Sequence, residues 1–265
     1  MEPQATSVAT DVLDAVAEGR YALPHDVLGA HLSDGVVTIR SVHHLADSVE
    51  VITPDRTLPA AHEHSGVWVC AFEADVIPDY RLRVTYGDHS QVVDDPYRFL
   101  PTLGEMDTYL IGEGRHERLW DVLGAHITHF DGLMGPVDGV AFAVWAPNAR
   151  AVRVVGDFNF WDGTAHSMRS MGASGVWELF VPGVGVGARY KFEIQGPSGD
   201  WFQKADPMAR ATEIPPATAS VVTDVFHTWE DDEWLRAREH TNPHSGPMSI
   251  YEVHAGSWKQ DLGYR

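Results

Sequence analysis

Asn159 and Trp161 carry the clearest chemical signal in the sequence, within Gly156-Asp157-Phe158-Asn159-Phe160-Trp161-Asp162-Gly163. A flat, exposed indole covers the apolar C–H face of a sugar ring, and a neighbouring amide pairs with its hydroxyls. The stretch continues the apolar run Ala151 to Val155. Side chains alternate across a strand, so Phe158 and Phe160 are expected to anchor one side while Asn159 and Trp161 face outward. Other reactive residue types lead nowhere comparable. His62-Glu-His64 and the pair His126 and His129 have metal-like spacing. Neither has a nearby Cys, Asp and His cluster that would close a site, so no metal is expected. No Gly-x-Ser-x-Gly elbow occurs. Val184-Gly-Val-Gly187 is glycine-rich, but it leads into a strand-like run and lacks the Lys-Ser/Thr of a phosphate loop. Asp231, Asp232 and Glu233 read as solvated acids at a helix start. No opposed pair of carboxylates fit for glycoside chemistry can be picked out.

The composition is compatible with a sugar ligand and excludes other classes. The chain has 265 residues, of which 44% are apolar and 22% charged, enough for one large domain or two modest ones. The net charge of −19 and the absence of any Lys/Arg run argue against nucleic acid. Acidity on this scale suits a neutral or cationic ligand better than an anionic one. Cys70, the single cysteine, lies in a strand-like run and reads as a core thiol. Residues 1–30 lack the pattern of a signal peptide, and no apolar stretch approaches the ~20 residues that span a bilayer. A cytoplasmic protein without membrane contact is expected.

The positioning elements follow from pattern. Ser7 to Gly19 predicts a short helix with Val8, Val12, Ala15 and Val16 on one face and Gly19 as its C-cap. Short runs at Val36–Arg40, Val49–Ile52, Val67–Phe72 and Tyr80–Tyr86 predict a sandwich. The chain then repeats itself. His25-Asp-Val-Leu-Gly-Ala-His-Leu32 returns as Trp120-Asp-Val-Leu-Gly-Ala-His-Ile127. In the same order Gly66-Val-Trp68 matches Gly175-Val-Trp177, Tyr80 matches Tyr190, and Asp95-Pro96 matches Asp206-Pro207. Two similar β-sandwiches in tandem are predicted. In the second, Ala188, Tyr190, Phe192 and Ile194 alternate with Arg189, Lys191, Glu193 and Gln195. Trp177 shares a face with Leu179 and Val181 and is assigned to the core. The first copy has Val51-Ile-Thr-Pro-Asp-Arg56 where the second has its Asn-Phe-Trp segment, so it reads as structural. Further on, Ser220–Val225 predicts a last strand, Asp231–Glu239 a helical turn or two, and residues 241–247 a linker. Met248-Ser-Ile-Tyr-Glu-Val-His254 reads as a buried-looking strand left unpaired in this chain, and residues beyond about Thr241 are expected to pack poorly.

Val154-Val-Gly-Asp-Phe-Asn-Phe-Trp-Asp-Gly163, Gly175-Val-Trp-Glu-Leu-Phe-Val-Pro-Gly183, Tyr190-Lys-Phe-Glu-Ile194 and Lys204-Ala-Asp-Pro-Met208 resemble the glycogen-branching-enzyme family. So do Val122-Leu-Gly-Ala-His126, Phe142-Ala-Val-Trp-Ala-Pro147 and Ser249-Ile-Tyr-Glu-Val-His-Ala-Gly-Ser-Trp258. The ordered set looks like the bacterial form with an extra N-terminal sandwich. The resemblance implies a cofactor-free cytoplasmic transferase of the α-amylase type, which moves α-1,4-glucan segments of glycogen or amylose into α-1,6 branches. Its catalytic acids lie on later strands of a (β/α)₈ barrel, and none has a counterpart here. The expected fold is all-β: two tandem immunoglobulin-like β-sandwiches followed by the truncated start of that barrel. The expected divisions are an N-terminal helix over 1–19, a first sandwich over 20–113 and a second, carbohydrate-binding sandwich over 114–226. Residues 227–265 are expected to hold a linker and the first barrel strand. By resemblance to related glycogen-binding modules, Trp161 and Trp201 would stack on glucose rings while Lys191 and Asn159 reach hydroxyls. Thr164-Ala-His-Ser-Met168 departs from the family pattern by lacking a proline between His and Met. A stand-alone glucan-binding or scaffold protein, or the start of a related debranching or trehalose-forming enzyme, would share much of this pattern. A barrel takes roughly 200 residues or more, so this chain by itself should release no branched product from amylose. Branching activity above a no-protein control would contradict that expectation.

Overall fold

The computed structural model describes residues 3–224, 228–242 and 244–259. The chain divides into two compact units, Met1–Asp224 and Val225–Arg265. The first unit opens with helix α1 (Thr10–Ala17), whose Leu13, Ala15, Val16 and Ala17 are buried. It ends through Gly19 at φ +60°, the left-handed turn predicted from the sequence.

The first sandwich contains β1 (Gly29–Ser33), β2 (Val36–Val42), β3 (Ser48–Ile52), β4 (Thr57–Pro59), β5 (Ala61–His64), β6 (Val67–Glu73), β7 (Arg81–Tyr86) and β8 (His89–Val93). The sheet β1-β2-β6-β5 faces the sheet β4-β3-β7-β8 across a core that includes Ile39, Val51, Cys70, Phe72 and Leu82. Cys70 is a core thiol as expected, with burial pushing its pKa up to about 11. The second sandwich contains β9 (Gly124–Phe130), β10 (Val137–Trp145), β11 (Ala151–Gly156), β12 (Arg169–Ser170), β13 (Val176–Pro182), β14 (Arg189–Gln195), β15 (Trp201–Lys204), β16 (Ala211–Thr212) and β17 (Ser220–Val221). One of its sheets runs β12-β13-β10-β9 and the other β11-β14-β17-β16, with β15 also paired to β14. The pairings are antiparallel.

The repeated letters turn out to be repeated bonds. Tyr80 donates its hydroxyl to Asp95 Oδ2 at 2.6 Å, and Tyr190 donates to Asp206 Oδ2 at 2.5 Å. The second oxygen of each carboxylate caps the next turn, accepting from Tyr97 N at 2.9 Å and from Met208 N at 2.8 Å. Trp68 and Trp177 are likewise both buried, each donating its indole N–H at 3.1 Å to a backbone carbonyl, of His43 and Ala146 respectively. Burial raises the Asp95 carboxyl to about 6 and moves Asp206 in the same direction, although the tyrosine bonds pull both back.

The second sandwich carries a third layer that the sequence did not reveal. The segment after Tyr97, with helix α2 (Glu105–Gly112), covers the outer side of the β12-β13-β10-β9 sheet. Phe99 meets Phe180 edge-on at 4.6 Å, and Leu103 and Leu123 join Ala143 and Val176. Residues 176–181 of β13 are therefore buried on both faces, Glu178 included. The Glu178 carboxylate, fully enclosed, takes a hydrogen bond from Arg169 Nε and two from Thr102, at 2.7 Å from the hydroxyl and 3.1 Å from the amide.

In the second unit, Asp232–Glu239 forms helix α3, close to the predicted Asp231–Glu239. The expected strand over Ser249–His254 is not formed: these residues lie outside any strand, with Ile250 83% and Tyr251 75% exposed. A strand exists by pairing, and an apolar run without a ladder partner stays unassigned however strand-like its letters. The barrel start anticipated for 227–265 is thus absent among the described residues, and 260–265, Pro243, Phe226, His227 and the Val225 end of the expected last strand lie outside them. Among the described residues no helix is long and apolar enough to cross a membrane.

Removing a tyrosine hydroxyl would leave a buried carboxylate short of a partner, which costs about 1–3 kcal/mol. Tyr190→Phe and Tyr80→Phe are each expected to lower the unfolding free energy by that amount in urea titration. Tyr251→Phe, on an exposed side chain, should leave it unchanged.

Candidate functional site

The exposed side of the β11-β14-β15 sheet is set by register. Val155 pairs Lys191, Arg153 pairs Glu193, and Ala151 pairs Gln195. On the other flank Glu193 pairs Gln203 and Gln195 pairs Trp201. Since alternate residues share a face, Arg153, Lys191, Glu193 and Trp201 belong to one surface, while Tyr190 and Phe192 fill the core. The alternation expected for β14 holds here.

It fails in the stretch that leads out of β11. Asp157–Asn159 is a 3-10 turn, and Phe160 and Trp161 follow with φ of +54° and +64°. The turn destroys the two-residue period and reverses the expected sides of Asn159 and Phe160, while Phe158 stays inward as expected. Phe158 packs against the core beside Phe142, at 5.8 Å between ring centres, while Phe160 is 94% exposed. Asn159, expected to face solvent, is buried. Its Oδ1 accepts from Gly156 N at 2.8 Å, and its Nδ2 donates to Val154 O at 2.9 Å and lies 3.3 Å from His166 Nδ1. Those bonds occupy the amide that the sequence reading gave to sugar hydroxyls.

Two adjacent non-glycine residues in the left-handed region cost of order 1 kcal/mol or more each and persist only where surroundings over-determine them. The restraints here are the Asn159 amide, the bond from Trp161 N to Gly156 O at 3.0 Å and that from Asp162 N to Asn159 O at 3.0 Å. Trp161 is half-buried. Beyond it, Gly163 lies so close over β11 that a Cβ would come within 2.7 Å of Arg153 Cβ and 2.9 Å of Val155 Cγ1. The loop carrying Trp161 is therefore pressed onto the same surface that bears Lys191 and Trp201. Asp157 clamps the loop base to β14, its two oxygens accepting from Arg189 Nη2 and Nε at 2.9 Å each. Hydrogen bonding from Arg189 chiefly holds the Asp157 carboxyl below the usual carboxylate range.

Lys191 spans β14 to bond Thr218 Oγ1 at 2.8 Å. Trp201, half-buried, has the Arg153 guanidinium over its ring at 3.7 Å. Arg153 and Phe160 are the members of this surface that sequence reasoning missed. Arg153 has only its outward place in β11 as a signal, and Phe160 was assigned inward. The paired histidines of metal-like spacing are taken up otherwise: His62 accepts from Gly66 N at 3.2 Å, His64 pairs Asp14 at 2.6 Å, and His129 pairs Asp138 at 2.7 Å.

Three histidines, His25, His43 and His166, are half-buried. His166 meets Phe158 edge-on at 5.8 Å, and the charges of His166 and His44 bear on His43 from the two sandwiches. Burial, the largest cause, lowers His43 and His166 to about 4 and His25 to about 3. A base with a lowered folded pKa stabilises the fold fully above its unfolded pKa near 6.5, and that stability is lost as pH falls through the folded pKa. Asp95, raised to about 6, Asp206, raised likewise by burial, and the exposed His129, raised by its bonds to Asp138 and Asp131, work in the opposite sense, favouring the fold at low pH; against them stand the three imidazoles together with Asp79, Asp157 and Asp162, all lowered. The unfolding free energy is expected to fall as pH drops from 6.5 toward 4, each histidine adding a slope of up to ~1.4 kcal/mol per pH unit. Urea midpoints at pH 7, 6 and 5 check the trend, and His43→Asn should flatten it.

Residues 9–97 match the family described as alpha-1,4-glucan branching enzyme GlgB, N-terminal domain, and residues 122–209 match Carbohydrate-binding module 48 (Isoamylase N-terminal domain). The chain is 54% identical over 264 residues to a 1,4-alpha-glucan branching enzyme GlgB of Leifsonia xyli subsp. xyli, which covers 96% of this chain and 35% of that protein. It is 54% identical over 255 residues to the namesake from Thermobifida fusca, covering 96% of this chain and 34% of that one. The chain thus spans about a third of the length of these curated relatives. A solved pullulanase type I from Bacillus subtilis overlaps 76% of this chain and 27% of its own at 19% identity and a TM-score of 0.32, a likeness too slight to argue from. In order and in sequence, the chain corresponds to the N-terminal region of the 1,4-alpha-glucan branching enzymes, a branching-enzyme N-terminal domain followed by a module 48.

Proposed function

We propose that the β11-β14-β15 surface binds α-1,4-glucan chains, glycogen or amylose, for a cytoplasmic branching enzyme whose bond-making acids lie outside this chain. The carrying observation is the strained pair Phe160 and Trp161, held out in left-handed backbone by bonds that involve no ligand. Strain kept at a surface loop is most simply explained by what the loop presents. The face is built for a neutral polyol: indole planes at Trp161 and Trp201, and an ammonium at Lys191 already donating to a hydroxyl. In this reading Trp161 and Trp201 stack on glucose rings and Lys191 reaches a hydroxyl. Asn159 acts through the loop, fixing the conformation that offers Trp161. The matched module 48 supports the ligand class.

The remaining assignments follow from the family resemblance of the sequence. Residues 1–19 form a helical lead, 20–113 a structural sandwich, and 114–226 the glucan-binding sandwich, both sandwiches of immunoglobulin type. Residues 227–265 lead toward a catalytic (β/α)₈ barrel, for which the two sandwiches provide support. The full enzyme would cut α-1,4 linkages and rejoin the fragments as α-1,6 branches, without a cofactor.

Co-sedimentation with glycogen tests the binding face. Losing one stacked aromatic forfeits about 0.5–1.5 kcal/mol, or about 2- to 10-fold in affinity. Trp161→Ala and Trp201→Ala are each expected to lower retention by that factor, and the double variant to abolish it. Equal retention of the wild type and the double variant would remove the face from the reading.

A further inference from the structure

We infer that Arg153 is a positioning residue for the glucan face, and that the C-terminal turn of helix α1, which lies outside the matched module, holds it there. The inference rests on the binding role proposed above. It begins with an arginine that spends a hydrogen bond from each of its three guanidinium nitrogens inside the protein. Arg153 Nε donates to Gly19 O at 2.9 Å, Nη2 to Glu18 O, and Nη1 to Glu193 Oε2 at 3.0 Å. The side chain is only 12% exposed. Its guanidinium plane is thus pinned on two sides, and the Trp201 ring lies 3.7 Å from it.

The pinning direction has a physical reason. A helix C-terminus leaves carbonyls unpaired and carries partial negative charge, which a cation satisfies best. Glu18 and Gly19 are the residues that end α1. Arg153 caps that end from the second sandwich, 134 residues away in sequence. The same turn also touches the other half of the surface. A Cβ on Gly19 would come within 2.7 Å of Thr164 O and 2.9 Å of Arg153 Nε. Thr164 follows the Trp161 loop, and its amide and hydroxyl both bond Asp162 Oδ1, at 3.0 and 2.8 Å. One backbone turn of the N-terminal region is therefore wedged between the loop bearing Trp161 and the arginine beneath Trp201. Gly19 is the only residue type that fits both contacts at φ +60°.

The consequence is functional. A tryptophan offers a sugar only the face it does not already use. With Arg153 fixed against one side of Trp201, the indole is held in a single orientation and only its other side is left for a glucose ring. Ordering that ring in advance removes an entropy cost from binding. Without the guanidinium the ring is free to rotate, and without the α1 turn the guanidinium loses two of its restraints.

The experiment measures binding of the full 265-residue chain to maltoheptaose by calorimetry, together with acrylamide quenching and melting temperature. Arg153→Met keeps the aliphatic stem and is expected to weaken binding about 3- to 10-fold, with an increase in quenching that is absent on a Trp201→Ala background. Arg153→Lys, which keeps the cation but not the planar fork, should recover part of the loss. Gly19→Ala should weaken binding in the same direction although it faces no ligand. On a Trp201→Ala background, Arg153→Met should add no further loss, since the two act as one unit. Additive losses would overturn the inference and leave Arg153 a general stabiliser of the sheet. So would undiminished affinity in Arg153→Met with wild-type binding intact. Absence of binding by the wild type would instead overturn the glucan-binding reading itself, and this inference with it.

Discussion

The junction between the two sandwiches depends on the fully enclosed carboxylate of Glu178. Taking a carboxylate out of water costs several kcal/mol unless its oxygens are bonded and its charge is matched. Here the match comes from Arg169 on β12, and the remaining bonds come from Thr102, in the segment that leaves the first sandwich. Arg169 also donates to Phe99 O at 3.3 Å. A charge in the middle of β13 thereby commits the connecting segment to one docked position. Tyr97 strengthens the same junction, its hydroxyl placed 2.9 Å from Ser167 N and 3.1 Å from Ala165 O. Two sandwiches that might have swung on a linker are instead one compact unit.

This junction also governs the surface loop. Residues 157–168 run from β11 to β12, and a loop of that length is held only as well as its two ends. At the leading end the Asn159 amide locks the backbone to β11. At the trailing end Tyr97 reaches across from the first half of the chain to grip Ser167. Between them α1 leans in through Gly19. Structural duties and ligand-facing duties are thus divided within twelve residues. Asn159 and Phe158 hold the loop, and Phe160 and Trp161 are what it displays.

Much of the architecture was readable because it is periodic or repeated. The alternation in β14 placed Lys191 and Tyr190 on opposite faces, and the tandem motif paired Tyr80 with Tyr190 and Asp95 with Asp206. The letters could say that these residues recur but not that each Tyr bonds its own Asp. The features that escaped have no period. Asp157 to Trp161 looks like a strand end because its aromatics alternate, yet a 3-10 turn and two left-handed residues leave no spacing that announces them. Asn159 was chosen for the right reason and the wrong partner: an amide that can meet hydroxyls can equally meet backbone. The Arg153–Trp201 contact and the Arg169–Glu178 pair join residues whose separation in sequence carries no signal. Ser249–His254 has strand letters but no neighbour to pair with among the described residues, and its exposure agrees with the poor packing expected beyond Thr241.

The docked segment over β13 bears on what counts as a module. Sequence similarity draws the boundary of the second domain at residue 122. Physically the boundary lies upstream, because Phe99, Thr102 and Leu103 cover Phe180, Glu178 and Val176. An excised 122–209 fragment would carry an uncovered aromatic face and a carboxylate stripped of two of its partners. The recurring unit that evolution copies and the smallest piece that can be transplanted with its core closed are different objects here. Any graft of this glucan face onto another scaffold would have to bring along about two dozen residues that the family boundary assigns to no domain.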